Sequence, residues 1–121
     1  MAEYDRDIVE TVQALKAEPD VQKALALTKE QLPQIIEIQK ELVVIEAPSF
    51  HEEKKARRYA ELLKEAGLED VVIDEHFNVR GKIAGVGHTG KSVLLEGHLD
   101  TVFSFGDVKG VTVDDEGRIH C

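Results

Sequence analysis

The residues best suited to chemistry lie together at Gly97-His98-Leu99-Asp100-Thr101-Val102, directly after the apolar run Val93-Leu94-Leu95. If that run is a strand, successive side chains alternate faces, and His98 and Asp100 point the same way. An imidazole beside a carboxylate suits a metal ligand and the acid that orients it, because a zinc-bound histidine usually has such a partner on its other ring nitrogen. Any two polar residues at a strand exit show the same spacing. The pattern alone therefore leaves a metal ligand and an ordinary polar loop both open.

Other reactive groups read more simply. Glu52-Glu53 is a pair of acids, but it falls in the first turn of a helix, where carboxylates cap and complement the dipole. His51, His76, His88 and His120 fall in turns or at element ends and read as surface histidines. Gly85-Val86-Gly87-His88-Thr89-Gly90-Lys91-Ser92 fits G-x-x-x-x-G-K-S, the pattern of a phosphate-cradling loop. That loop needs a helix directly after it, whose N-terminus holds the anion. Here Ser92 to Gly97 is short and punctuated by glycine, and a nucleotide hydrolase needs a long α/β run beyond the loop. A glycine-rich hairpin turn is the better reading, with nucleotide binding through 85–92 kept as an alternative.

The elements that must position these groups follow from periodicity. Residues 4–17 read as an amphipathic helix, with Ile8, Val12 and Leu15 at helical spacing, ended or interrupted by Pro19. Thr28 and Gln31 make a capping-box pattern before a second helix over about 29–46. Ser49 and Glu52 repeat it before a third helix over about 50–66, and Gly67 sits where a C-terminal glycine belongs. Short strands are expected at 71–73, 79–84 and 92–96, with a final hairpin over 111–120. The expected fold class is α/β, with N-terminal helices packed on a mixed β-sheet in a single domain, 1–121, and 1–34 as a helical extension.

Composition narrows the partners. The formal net charge is -9, which disfavours nucleic acid phosphates and anionic membranes. The single cysteine, Cys121, excludes an intrachain disulfide. No stretch approaches the ~20 apolar residues of a membrane span. The acidic N-terminus has no apolar signal core, so a cytoplasmic location is expected.

The string LLEGHLDTV resembles the first metal motif of the zinc metallopeptidases that include aminoacylases, glutamate carboxypeptidases, tripeptidase T-like enzymes and succinyl-diaminopimelate desuccinylases (peptidase clan MH). The stretch from Glu41 to Glu53 resembles the family's opening of a helix, a short Pro-Ser turn, a Glu and a second helix. Gly67-Leu68-Glu69-Asp70-Val71 and Asn78-Val79-Arg80-Gly81 resemble its next helix end and hairpin. The likeness runs in unbroken order over roughly 35–121, and 1–34 carries no specific signal.

This resemblance implies a zinc-dependent metallopeptidase or amidohydrolase acting on peptide or N-acyl amino acid amide bonds. It implies a three-layer α/β/α domain in the complete protein, and two zinc ions about 3.5–4 Å apart that polarise the carbonyl and generate hydroxide. Cobalt or manganese could replace them. His98 would ligate one zinc, with Asp100 as the catalytic-site carboxylate that orients its ring. Asp107-Val108-Lys109-Gly110 resembles the second metal motif but follows Asp100 too closely. The bridging Asp of the family comes after a turn that Glu116-Gly117-Arg118-Ile119 resembles. The bridging Asp, the general-base Glu and its neighbour, a further carboxylate and a distant His have no match. The expectation is the N-terminal part of such a catalytic domain, a fragment inactive by itself, with at most weak metal occupancy. The alternative from another class is a non-catalytic α/β module that self-associates through open strand edges.

Overall fold

The computed structural model describes residues 6–87 and 90–121. Residues 4–5 of the expected first helix, and His88 and Thr89 of the glycine-rich turn, lie outside them. The chain divides into two units, residues 1–38 and 39–121, and the division falls inside the second helix.

In the first unit, α1 spans Arg6–Ala17 and none of its residues is buried. Pro19 then opens α2, Pro19–Val43, rather than only ending α1. Its fixed φ and missing N–H suit a first helical turn. The helix expected over 29–46 therefore starts earlier, and Thr28 does not cap it. The Thr28 hydroxyl instead donates to the Ala24 carbonyl at 2.9 Å, four residues back. A threonine can satisfy itself this way inside a helix, so its presence does not require a break. The flanking Ala24-Leu25-Ala26-Leu27 favours helix throughout.

In the second unit, α3 spans Glu53–Glu65. It ends as the glycine predicts: Gly67 takes φ +84°, its N–H donates to the Lys64 carbonyl at 2.9 Å, and that of Leu68 to Leu63 at 3.0 Å. These paired bonds satisfy carbonyls that the helix end would leave open. The chain then makes an antiparallel hairpin of β1, Glu69–Ile73, and β2, Val79–Lys82, with Val72 opposite Arg80 and Ile73 opposite Val79. Asp74 closes the turn. Its Oδ1 accepts from the N–H groups of His76 and Asn78, each at 2.9 Å, and its Oδ2 from the Asn78 amide at 2.9 Å. The helix packs on both strands. Gly81 leaves room for Leu68 and Val71, since a Cβ there would lie 3.1 Å from their side-chain atoms. Among the described residues, the buried apolar ones are small, Ala47, Ala56 and Ala60, and Lys55 is buried with them.

The last hairpin, expected over 111–120, forms as β3, Thr112–Val113, and β4, Ile119–His120. The strand expected over 92–96 does not form. Residues 91–100 are neither helix nor strand, and Val93, Leu94 and Leu95 are 88 %, 77 % and 89 % exposed. An apolar run becomes a buried strand only when neighbouring strands take up its N–H and C=O groups. Each hairpin here is instead closed on itself. The result among the described residues is a mixed α/β chain with two separate two-stranded antiparallel sheets. In place of the expected mixed sheet, the parallel pairing among the described residues is a single bridge between Pro48 and Thr101. No helix among the described residues is long and apolar enough to cross a membrane.

Candidate functional site

Two distant loops meet at the His-x-Asp motif. The first runs from Glu46 to Glu52 into α3, and the second from His98 to Asp107. The Thr101 N–H donates to the Ala47 carbonyl at 2.8 Å, and the Thr101 hydroxyl reaches the same oxygen at 3.3 Å. The Gly106 N–H donates to the Glu46 carboxylate. The Ser49 hydroxyl donates to Asp100 Oδ2 at 2.6 Å, across 51 positions of sequence. That length is usual for a hydroxyl donating to a carboxylate.

His98 and Asp100 are brought together as their spacing suggests, although not by a strand. His98 Nδ1 lies 3.0 Å from Asp100 Oδ1 and 2.9 Å from the Asp100 carbonyl oxygen. Both oxygens are acceptors, so Nδ1 carries the proton in the neutral ring and Nε2 is the bare nitrogen. Nε2 has no partner among the described residues, and the His98 side chain is 86 % exposed. Asp100 is held ionised. The Ser49 hydroxyl, first, and the His98 ring lower its pKa from 3.8, while partial burial acts the other way.

Behind this pair is a cavity of about 340 Å³ lined in part by Leu42, Lys55, Tyr59, His98, Asp100 and Thr101. Lys55, on α3, is 5 % exposed. Burial lowers its pKa, and the charge of Asp100 acts to raise it. A second hollow, about 190 Å³, lies against Glu53, Arg57, Ile73, Asp74 and Phe77. Its polar groups already serve structure: Arg57 pairs with Glu53 at 2.7 Å, and Asp74 closes the β1–β2 turn.

The turn that delivers Ser49 is strained. Phe50 has φ +70° with its ring 90 % exposed. A left-handed aromatic residue costs of order 1–3 kcal/mol and persists only when its surroundings fix it. Here the Phe50 N–H donates to the Glu52 carboxylate at 2.7 Å, and the His51 N–H to the Pro48 carbonyl at 2.8 Å. The expected Ser49–Glu52 capping box is thus not what forms. Glu52 itself occupies the position before α3 and makes no side-chain cap, and Ser49 is turned to Asp100 instead. The serine hydroxyl donates to a charged carboxylate far away in sequence, a charge-assisted bond.

The remaining candidates make contacts other than the His98–Asp100 pair. Asp107 accepts from the Ser104 N–H at 2.8 Å within its own turn. His51 rests edge-on against Phe105, with ring centres 5.6 Å apart. His76 lies 3.6 Å from Glu75, and His120 lies 2.9 Å from Asp114. Lys91 and Ser92 of the glycine-rich segment are followed by irregular chain rather than by a helix.

His98 fits one position of a zinc shell: an exposed imidazole with its far nitrogen held by a carboxylate. A catalytic zinc takes three protein ligands and an open position. Among the described residues, no group of three or more His, Cys, Asp or Glu could hold an ion. The fit is therefore to a single ligand, and no hydrolytic step is derived through the metal. The chain matches no family model, and no curated protein is a significant match.

Proposed function

We propose that residues 98–100 form the metal-ligand corner of a zinc-dependent metallopeptidase or amidohydrolase. Its substrates would be peptides or N-acyl amino acids, as in the aminoacylases and succinyl-diaminopimelate desuccinylases whose metal motif LLEGHLDTV resembles. The observation that carries this reading is the His98–Asp100 contact at 3.0 Å with Nε2 left bare. Ser49, Asp100 and His98 hold a single ring orientation, and Nε2 would supply one bond to the ion. Zinc would supply a polarised carbonyl and a bound hydroxide when the rest of its ligands are present. A cytoplasmic location accompanies this reading.

Among the described residues, His98 is one such ligand and no group of three or more His, Cys, Asp or Glu completes a shell. The test is an assay of dipeptides and N-acyl amino acids with added zinc or cobalt. No turnover is expected from this chain alone. Turnover that survives His98→Ala would remove the corner from the chemistry.

A second reading rests on Val93, Leu94 and Leu95, which leave an apolar run in water within a stretch that is neither helix nor strand. By that reading the chain associates with a second copy of itself. Sedimentation across a wide concentration range tests it: association that Leu94→Lys weakens supports it, and a monomer throughout contradicts it.

A further inference from the structure

We propose that Lys55 is a nucleophilic lysine that captures a small aldehyde with an apolar body as an imine, inside the cavity lined by the end of α2, by α3 and by residues 97–101. Lysine is almost never fully buried unless a partner offsets its charge. Lys55 is 5 % exposed, yet it makes no hydrogen bond or ion pair with any described residue, Asp100 and His98 included. No fully enclosed side-chain nitrogen or oxygen among the described residues lacks a partner, so the Lys55 amine is not sealed in. It opens on the cavity of about 340 Å³ that Lys55 lines. The stem is covered while the amine faces the hollow.

Helical spacing accounts for this placement. Lys55 and Tyr59 lie four positions apart on one face of α3 and both line the cavity, whereas Lys54, next to Lys55, is exposed. Leu42, Val43 and Leu99 supply apolar walls. Burial disfavours the ammonium form and lowers the pKa of Lys55, with the charge of Asp100 acting the other way. A desolvated amine without a hydrogen-bond partner keeps its lone pair for a carbonyl carbon. Attack forms the carbon–nitrogen bond. The carbonyl oxygen then leaves as water with the two amine hydrogens, so no oxidant or reductant is consumed. The ionised Asp100 in the cavity wall would repel a carboxylate or phosphate, which favours a neutral carbonyl compound as the occupant. The proposal uses neither His98 nor a metal and goes beyond the zinc-ligand reading.

The test is treatment of the full chain with benzaldehyde and cyanoborohydride at neutral pH, with the benzylated lysines mapped by peptide mass spectrometry. Reduction fixes each imine as a stable secondary amine. Lys55 should be labelled severalfold faster than Lys54, its exposed neighbour. In the chain unfolded by guanidinium the two should react alike, because the preference belongs to the fold. An aldehyde carried on dextran, too large to enter the cavity, should label Lys54 and spare Lys55. Labelling of Lys55 no faster than Lys54, a preference that survives unfolding, or equal labelling of both by the polymer overturns the proposal. Zinc takes no part in this readout, so failure of the zinc reading leaves the role of Lys55 standing, and the reverse holds as well.

Discussion

Asp114 and Asp100 each face a histidine nitrogen, at 2.9 and 3.0 Å, but they are built from different parts of the chain. Asp114 works within six residues of itself. It accepts from the N–H groups of Glu116 and Arg118, each at 2.9 Å, from Arg118 Nε at 2.7 Å and from His120 Nε2. Asp100 accepts from a serine 51 positions away and from a ring two positions away. The first arrangement is a hairpin closing its own turn. It saturates the carboxylate and engages the histidine's outer nitrogen, Nε2. The second joins two loops and leaves Nε2 bare. The same residue pair can thus be a staple or a prepared ligand, and which nitrogen is engaged decides between them.

The largest expected effect breaks the two apart directly. Asp100→Asn should weaken zinc binding at His98 about 10–100-fold, the range for removing the partner of a ligating imidazole. Asp114→Asn should leave that binding unchanged. Isothermal titration of both variants checks it, and equal losses would erase the distinction.

Acid should act on the staple. Hydrogen bonds from His120, first, and from Arg118 hold Asp114 at about 2, against an ordinary 3.8. The ionised carboxylate therefore favours the folded hairpin. That contribution is complete above about pH 4 and disappears as pH falls through about 2. Amide shifts and exchange at 112–120 should show the hairpin ordered at pH 5 and loosening across that window. A hairpin indifferent to pH down to 2 would mean that backbone pairing alone holds it.

A smaller effect sharpens the cost of the long-range arrangement. Phe50→Gly removes left-handed strain at an exposed ring, while glycine adds freedom to the unfolded chain. The two partly cancel, leaving a gain of roughly 0–1 kcal/mol. Denaturant unfolding measures it. A clear loss would mean that the ring makes contacts of its own.

This contrast also explains what could be read from the amino-acid order. The Gly67 helix end and both hairpins were legible, because each is closed by residues a few positions apart; the closing role of Asp74 was not read, and neither capping box, at Thr28 or at Ser49, forms. His98 and Asp100 were legible as a pair for the same reason, even though the strand invoked to align them is absent. The 92–96 segment misled because an apolar run specifies a strand only through partners distant in sequence. Ser49 was legible as a polar residue before a helix, but nothing nearby in sequence marks Asp100 as its acceptor. Lys55 was missed, although its spacing against Tyr59, and its place beside Ala56, put a cation on the inward stripe of α3.

The central claim is that His98, and not His51, His76 or His120, offers a prepared nitrogen to a metal. A zinc titration of the full chain, followed by the ¹⁵N ring signals of His51, His76, His98 and His120, tests it most directly. The account predicts that Nε2 of His98 moves first, with Nδ1 still protonated, and that His120 stays unchanged. Movement of all the rings together, or of His120 before His98, would contradict it.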